Sequence, residues 1–343
     1  MAGWNKKSGP LVDYAPSEDE LWSLFNHVFS DGSKKTNTYK FGLIKSICDQ
    51  IYTLNEESDC FFLSYESLFA KFTENYWNLV NKYNIRQMRN NGNSDYSRVE
   101  ILIKNVAINN NLPDNIPFTS LHEQIKTQLI KDVAKDCKRN VIGALYEDFQ
   151  GKLYSFDLSG KGIYLSLAAY NFISKYKMDI EKLNYYSWAR FLEKVNTDEV
   201  LVRILDKLDL STPQRNDLSV YRELLYREFQ ENRCFYCGKK LDKTTIHVDH
   251  FIPWKFVKSD NLWNFVLACP KCNLTKHDNL VSKDYLLKLE KRNTVLIEYS
   301  GMESVRKTIE REFIGYYNGL LNSMWDYAKM GGIPEQIKMP TIV

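Results

Sequence analysis

The chain has 343 residues, of which 44% are hydrophobic and 26% are charged, and its formal net charge is +3. This length predicts two domains, and the composition is that of an ordinary globular protein. The weak positive charge permits a polyanionic partner without requiring one. No run approaches eighteen apolar residues, and the lysines of "MAGWNKKSGP" precede no apolar stretch, which excludes a membrane span and a secretory signal. We expect a cytoplasmic protein with no membrane partner.

Helical periodicity dominates the first 215 residues. Ser17 and Glu20 have the spacing of a capping box, which predicts the start of a first helix. Further helices are predicted in "KFGLIKSICDQIY", "SYESLFAKFTENYWNLVNKYNI", "SRVEILIKNVAIN", the segment from Leu121 to Lys138, "NYYSWARFLEKVN" and "LSVYRELLYREFQENR". The runs "KLYSFDL" and "KGIYLSL" flank "SGKG" and predict a β-hairpin. This half is therefore expected to be helical with one small sheet, its Tyr and Trp stripes forming the core.

Three basic segments lie in the same region. They are "NKK", "DGSKK" and "RQMRNNGN". Lysine and arginine clusters of this kind either contact the phosphates of DNA or lie as solvated loops. Both interpretations stay open from the sequence.

The seven cysteines are distributed unevenly. Four of them form two C-x-x-C pairs, Cys234 with Cys237 and Cys269 with Cys272. Two such pairs supply four thiolates to one tetrahedral Zn²⁺, and that arrangement leaves no position open for chemistry. In a reducing compartment a metal explains paired cysteines better than disulfides do. The alternatives are four buried free thiols or a redox motif, and no thioredoxin-like βαβ pattern surrounds the pairs. We predict a structural zinc site.

The segment between the pairs combines histidine, carboxylate and amide side chains. "TTIHVDHFIPW" predicts a strand entering a loop, on which Asp249 and His250 point to opposite faces. "NLWNFVLACPKCNLTKHDNL" predicts a second strand, the second cysteine pair and a helix beginning near Asn273. Four residues separate Asn273 from His277, so a helix would present them on one face, within reach of a single ion.

Residues 230–285 resemble the HNH nucleases, whose active site is the ββα-metal fold. The resemblance is carried by "VDH" with Asp249 and His250, by Asn264 in "NFVLAC" and by Asn273 in "CNLTK". The two flanking cysteine pairs are those of the zinc-stapled branch of the family. The loop "KFVKSDNLW" lacks the glycine pair that many members carry after the proline, which puts the shape of this loop in doubt.

The resemblance implies a role for each of these side chains. His250 would be the general base that activates water, and histidine titrates in the range this step needs. Asp249 and Asn273 would bind one divalent cation, Mg²⁺ (or Mn²⁺), because both offer oxygen ligands. Asn264 would brace the loop that orients the base.

Three further side chains are less constrained by the resemblance. His277 would be a third metal ligand or a phosphate contact. Lys276 would bind a phosphate of the nucleic acid through its charge. His247 has no counterpart among the catalytic positions of the family, and the simplest interpretation is a strand residue facing solvent.

The predicted fold class is mainly α with a small α+β domain. Residues 1–215 would form a helical domain for target recognition or regulation, and residues 216–290 the HNH domain, with a structural zinc on its four paired cysteines. Residues 291–343 would add helices that pack on the rest. Residues 231–290 carry ten Lys and Arg against seven Asp and Glu, a surplus compatible with a phosphate-binding face.

These features together predict a metal-dependent endonuclease that hydrolyses phosphodiester bonds in DNA, with RNA open as a second substrate. One active site per chain is compatible with a homodimer or a partner subunit. By analogy alone, the architecture suggests an effector of bacterial antiviral defence, in restriction or abortive infection. The alternative is a catalytically inert zinc-containing protein that binds nucleic acid or serves as a scaffold.

Overall fold

A computed structural model describes residues 6–336, apart from 91, 93, 211–217 and 243, together with residue 339. The chain divides into two compact units, Met1–Gln214 and Arg215–Val343. The domain boundary predicted after residue 215 lies within 211–217, outside the described residues. No helix in the described part of the chain is long and apolar enough to cross a bilayer.

The first unit is helical around one antiparallel sheet. Its helices are α1 (Glu18–Phe29), α2 (Tyr39–Gln50), α3 (Tyr65–Trp77), α4 (Arg98–Asn109), α5 (Glu123–Asp148), α6 (Leu167–Leu192), α7 (Asp198–Leu201) and α8 (Ile204–Leu210). Its strands are β1 (Ser8–Gly9), β2 (Asn55–Glu57), β3 (Cys60–Ser64), β4 (Tyr154–Asp157) and β5 (Gly162–Ser166), in the order β1-β4-β5-β3-β2.

The sequence predicted most of this unit correctly. Ser17 caps α1, and the reciprocal bond from the Ser17 backbone N–H to the Glu20 carboxylate completes the predicted capping box. β4 and β5 form the predicted hairpin, but β1, β2 and β3 extend it to five strands. Helix α5 continues ten residues past its predicted end at Lys138, to Asp148. The aromatic stripes form the core, since Trp77 and Trp188 are fully buried.

The second unit contains the segment between the cysteine pairs. Its helices are α9 (Ser219–Glu223), α10 (Trp254–Val257), α11 (Pro270–Lys276), α12 (Asp284–Ile297), α13 (Glu303–Glu312) and α14 (Leu320–Met330). Its strands are β6 (His247–His250), β7 (Phe265–Ala268), β8 (Leu280–Val281) and β9 (Glu335–Gln336); β6 pairs antiparallel with β7, and β8 pairs parallel with β9.

The hairpin of β6 and β7 followed by α11 is the ββα arrangement that the sequence predicted. All four side chains of β7 are buried, so this strand lies at the centre of the unit. The helix begins at Pro270, three residues earlier than predicted, because Cys269 takes the N-cap position and proline suits the first turn of a helix.

Helix α12 stabilises the hairpin of β6 and β7 through hydrogen bonds to backbone carbonyls. The Arg292 guanidinium donates to the carbonyl of Phe265 at 2.6 Å, and the Asn293 amide donates to the carbonyl of Trp263 at 2.9 Å. The boundary predicted after residue 290 therefore falls inside a helix that belongs to the same compact unit as the hairpin.

Candidate active site

The four paired cysteines converge on one point. Their Sγ atoms all lie within 4.8 Å of one another, and those of Cys237 and Cys269 are 3.9 Å apart. Tetrahedral zinc with Zn–S bonds of about 2.3 Å places its sulfurs about 3.8 Å apart, so the cluster fits the ion. Gly238, at φ +73°, lets the first pair turn back, and its N–H donates to the carbonyl of Cys234 at 2.8 Å.

The pKa values of these thiols are also compatible with binding of a cation. Burial raises the pKa of Cys234 and of Cys272. Burial opposes ionisation of Cys269 too, but hydrogen bonds from the Cys272 backbone N–H and from the neighbouring thiols hold the pKa of Cys269 below its ordinary value. Cys269 is therefore more acidic than Cys234 and Cys272. A bound divalent cation would offset the repulsion among additional thiolates.

Strand β6 presents its side chains alternately to two faces. His247 and Asp249 lie on one face, and Val248 and His250 lie on the other. The contacts of the first pair are to α11, through Asn273 and Lys276. Asp249 and His250 thus point to opposite sides of the strand, as their adjacency in the sequence predicted.

Asn264 closes the loop that follows β6. Its side-chain oxygen accepts from the backbone N–H of Ile252 at 2.8 Å, and its side-chain nitrogen donates to the carbonyl of the same residue at 3.0 Å. The backbone carbonyl of Asn264 accepts from Phe251 at 2.8 Å. The residue is fully buried, so the amide holds the two segments together and lies away from solvent.

The His250 imidazole is fixed on three sides. Its Nε2 lies 3.0 Å from Oδ1 of Asp260, and the two side chains are only 5% and 6% exposed. The rings of Trp254 and Phe265 meet it edge-on at centroid distances of 5.1 and 4.7 Å. A carboxylate accepts from a protonated Nε2, which leaves Nδ1 with the lone pair that can take a proton from water.

Asp249 belongs to a buried ion pair. Nζ of Lys276 lies 3.1 and 3.2 Å from its two carboxylate oxygens and donates to the carbonyl of His250 at 2.7 Å. The hydroxyl of Tyr236 donates to the same carboxylate. Burial, reinforced by the charge of Asp249, raises the pKa of Tyr236 well above its usual value, so the phenol stays a neutral donor.

This arrangement changes the interpretation of Lys276. The sequence suggested a phosphate contact, but the lysine side chain is 1% exposed and its charge is satisfied by Asp249. A buried charge is tolerated when it is paired and hydrogen-bonded. The contacts of Lys276 with the Asp249 carboxylate and with the His250 carbonyl meet both conditions. We assign Lys276 to the support of Asp249 and of the end of β6.

The face of β6 that contacts α11 carries the donors for a divalent cation. Nδ1 of the exposed His247 lies 3.4 Å from the Asn273 side-chain amide, and Asp249 follows two residues later on the same face. A carboxylate offers about four acceptor directions, and Lys276 and Tyr236 use three at Asp249. Imidazole, amide and carboxylate groups are each of the kinds that bind divalent cations.

His277 lies outside this group. Helix α11 ends at Lys276, and His277 follows at φ +49°, so it does not share a helical face with Asn273. Its side chain is 74% exposed, and its nearest charged neighbour is Asp278 at 3.7 Å. The premise that put His277 beside Asn273, a helix continuing through both residues, does not hold.

Three side chains of this site escaped the sequence analysis. Asp260 lies in the loop "KFVKSDNLW" at no recognised motif spacing, and Tyr236 sits inside "CFYC", where only the cysteines were informative. His247 is an exposed strand residue, as the simplest interpretation predicted, but its contact with Asn273 was missed, although its spacing of two from Asp249 on a strand was the available signal.

Comparison with known families agrees with this geometry. Residues 234–279 match the family model of the HNH endonucleases. No curated protein and no solved structure matches the chain. The second unit therefore contains an HNH nuclease domain, which confirms the resemblance seen in the sequence, and the clustered cysteines place it with the zinc-stapled members. A domain of this class acts on nucleic acid.

Proposed function

We propose that the chain is a metal-dependent endonuclease that hydrolyses phosphodiester bonds in DNA, with His250 as the general base. The observation that carries the proposal is the contact between Nε2 of His250 and Asp260, within a domain that matches the HNH endonucleases. This contact sets the tautomer and the direction of the imidazole.

In this proposal the general base and the ligands of the cation lie on opposite faces of β6. Nδ1 of His250 takes the proton from water as the water oxygen attacks phosphorus, and Asp260 stabilises the imidazolium that forms. Asn264 keeps the backbone after β6 fixed, so the base does not shift. The phosphorus–oxygen bond to the 3′-oxygen then breaks.

Asp249 and Asn273, with His247 beside them, would hold the divalent cation on the opposite face. The bound ion would neutralise charge on the phosphate and on the leaving oxygen. Lys276 and Tyr236 hold the Asp249 carboxylate in a single orientation. That Mg²⁺ is the natural ion remains a prediction, which is based on the oxygen ligands. The defence role, the homodimer and the partner subunit also remain predictions.

Plasmid cleavage tests the proposal. Supercoiled plasmid is incubated with the wild type, His250→Ala or Asn273→Ala, in Mg²⁺, Mn²⁺ or EDTA, and the zinc content of each preparation is measured. We expect nicking or linearisation that requires the cation and falls by at least about 10²-fold in both variants with zinc retained. His27→Ala, an exposed histidine of α1, is the matched control and should cleave normally.

Two results would contradict the proposal. Undiminished cleavage by His250→Ala would show that another group is the base. Binding of plasmid without cleavage in any cation would favour the inert nucleic-acid-binding protein. A parallel reaction on single-stranded RNA of the same length decides whether RNA is a substrate.

A further inference from the structure

Two of the basic segments noted in the sequence meet in the first unit. "DGSKK" spans residues 31–35, after α1, and "RQMRN" spans 86–90; both line a cavity of about 360 Å³ whose remaining wall is the C-terminal end of α6. Neither segment belongs to the HNH domain. They lie far apart in the chain, so only the fold brings their charges together.

The cavity is strongly cationic. Its lining includes five positive side chains against the single carboxylate of Asp31: Lys34, Lys35, Arg89, Arg190 and Lys194. Asp31 pairs with Lys194 at 3.4 Å, but its side chain is 99% exposed. Exposed pairs of this kind contribute little and are screened by salt. Arg190 also pairs with Glu193 at 2.9 Å, and that pair is exposed as well, so the cavity keeps a positive charge.

Aromatic rings line the same cavity. Phe29, Phe41, Tyr186 and Phe191 contribute to its walls, and Tyr186 is 61% exposed. The guanidinium of Arg89 lies 5.5 Å from the ring centroid of Phe191. Phe41 and Phe191 are buried, so Tyr186 is the ring of this cavity that a flat heterocycle could contact, beside cations that suit a phosphate.

A second cavity of about 610 Å³ adjoins the first. The two share Arg89 and Lys194, and the second adds Arg86 and Tyr96. The guanidinium of Arg86 lies 5.8 Å from the ring centroid of Tyr96, which is 40% exposed. A cation and an accessible ring therefore lie together in the second cavity.

Lys35 is partly withdrawn from solvent at the edge of the cavity. Burial, and then the neighbouring ammonium of Lys40, lowers the pKa of Lys35 to about 8. The Lys35 ammonium donates to the backbone carbonyls of Ser30 and Ser33. A bound anion would offset the repulsion between the ammonium groups of Lys35 and Lys40.

We propose that this cavity binds a small phosphorylated ligand of the nucleotide class, with its phosphates on Arg89 and Lys34 and its base against the exposed rings. The volumes of the two cavities fall within the range of about 300–1,000 Å³ typical of small-molecule sites. A nucleic acid strand is the less favoured occupant, because each cavity has the volume of a site for one small molecule. The proposal is independent of catalysis by the HNH domain.

Calorimetric titration of the full chain without divalent cations tests the proposal. The probes are the four ribonucleoside triphosphates, inorganic pyrophosphate and a short single-stranded DNA. We expect at least one triphosphate to bind more tightly than pyrophosphate, and Arg89→Gln and Lys34→Gln each to weaken its binding at least tenfold. Lys131→Gln, an exposed lysine of α5 outside both cavities, should leave the affinity within twofold of the wild type.

Each other outcome overturns the assignment. No binding of any triphosphate at millimolar concentration, or binding unaffected by Arg89→Gln and Lys34→Gln, would remove the site. Equal affinity for pyrophosphate and the triphosphates would reduce it to an anion site without base recognition. Binding of the oligonucleotide alone, sensitive to the two variants, would assign the cavity to a nucleic acid strand. Thermal unfolding of each variant shows whether lost binding reflects lost folding.

Discussion

Replacing Asp260 with asparagine tests whether a carboxylate orients His250. The change keeps the shape of the side chain and removes its charge. Nε2 of His250 and Oδ1 of Asp260 are 3.0 Å apart, and both side chains are almost fully buried, so solvent does not screen the contact. An asparagine can donate its amide N–H to Nε2, which would leave the ring proton on Nδ1, the atom that must accept a proton from water.

The structure sets the expected magnitude. A hydrogen bond to a charged group is worth about 1.5–3 kcal/mol, which corresponds to about 10- to 150-fold in rate if it is lost in the transition state. A reversed tautomer raises the loss to as much as about 10⁴-fold, as in other histidine–carboxylate pairs. We therefore expect kcat for plasmid cleavage to fall at least tenfold, with KM for DNA nearly unchanged.

Single-turnover cleavage of plasmid at saturating cation measures this loss. Asp326→Asn is the matched control, because Asp326 lies in the same unit and forms only an exposed ion pair with Lys283. Zinc content and thermal unfolding verify that both variants fold. Cleavage by Asp260→Asn within threefold of the wild type would refute the orienting role of Asp260.

Four other changes address the remaining parts of the site. Lys276→Met leaves the buried Asp249 carboxylate without its cation, so thermal or denaturant unfolding should show a loss of about 3–5 kcal/mol. Cys272→Ser should abolish zinc binding and unfold the second unit, as circular dichroism and metal analysis would show, since a structural zinc contributes about 10 kcal/mol or more. His247→Ala should weaken Mn²⁺ binding, followed by electron paramagnetic resonance, by roughly tenfold, whereas His277→Ala should leave it unchanged.

Matched substitutions separate these effects from general damage. Lys271→Met changes an exposed lysine of the same helix as Lys276 and should cost little stability. Cys60→Ser changes a cysteine of the first unit, outside the four-cysteine cluster, and should keep the zinc. The assignment of Lys276 is wrong if its variant is as stable as Lys271→Met. The cation face on β6 is wrong if the His277 variant loses Mn²⁺ and the His247 variant does not.

The sequence by itself determined the features that depend on near neighbours. The capping box of Ser17 and Glu20, the hairpin of β4 and β5 and the alternation of Asp249 and His250 each follow from residues a few positions apart. The two cysteine pairs are more distant, but each is a rigid local unit, and thiolates have few alternatives to a shared metal. These short-range patterns carry the resemblance to the HNH nucleases, which predicted the HNH domain and its fold class.

Only the tertiary structure decided which side chains meet. Asp260 contacts His250 because the loop between β6 and β7 folds back. Lys276 pairs with Asp249 because this carboxylate would otherwise be buried without a partner. The cationic cavity assembles from segments that no periodicity connects, near residues 34, 89 and 190. Propensity and spacing act over a few residues, whereas these pairings depend on the path of the whole chain and on the cost of leaving a buried charge unpaired.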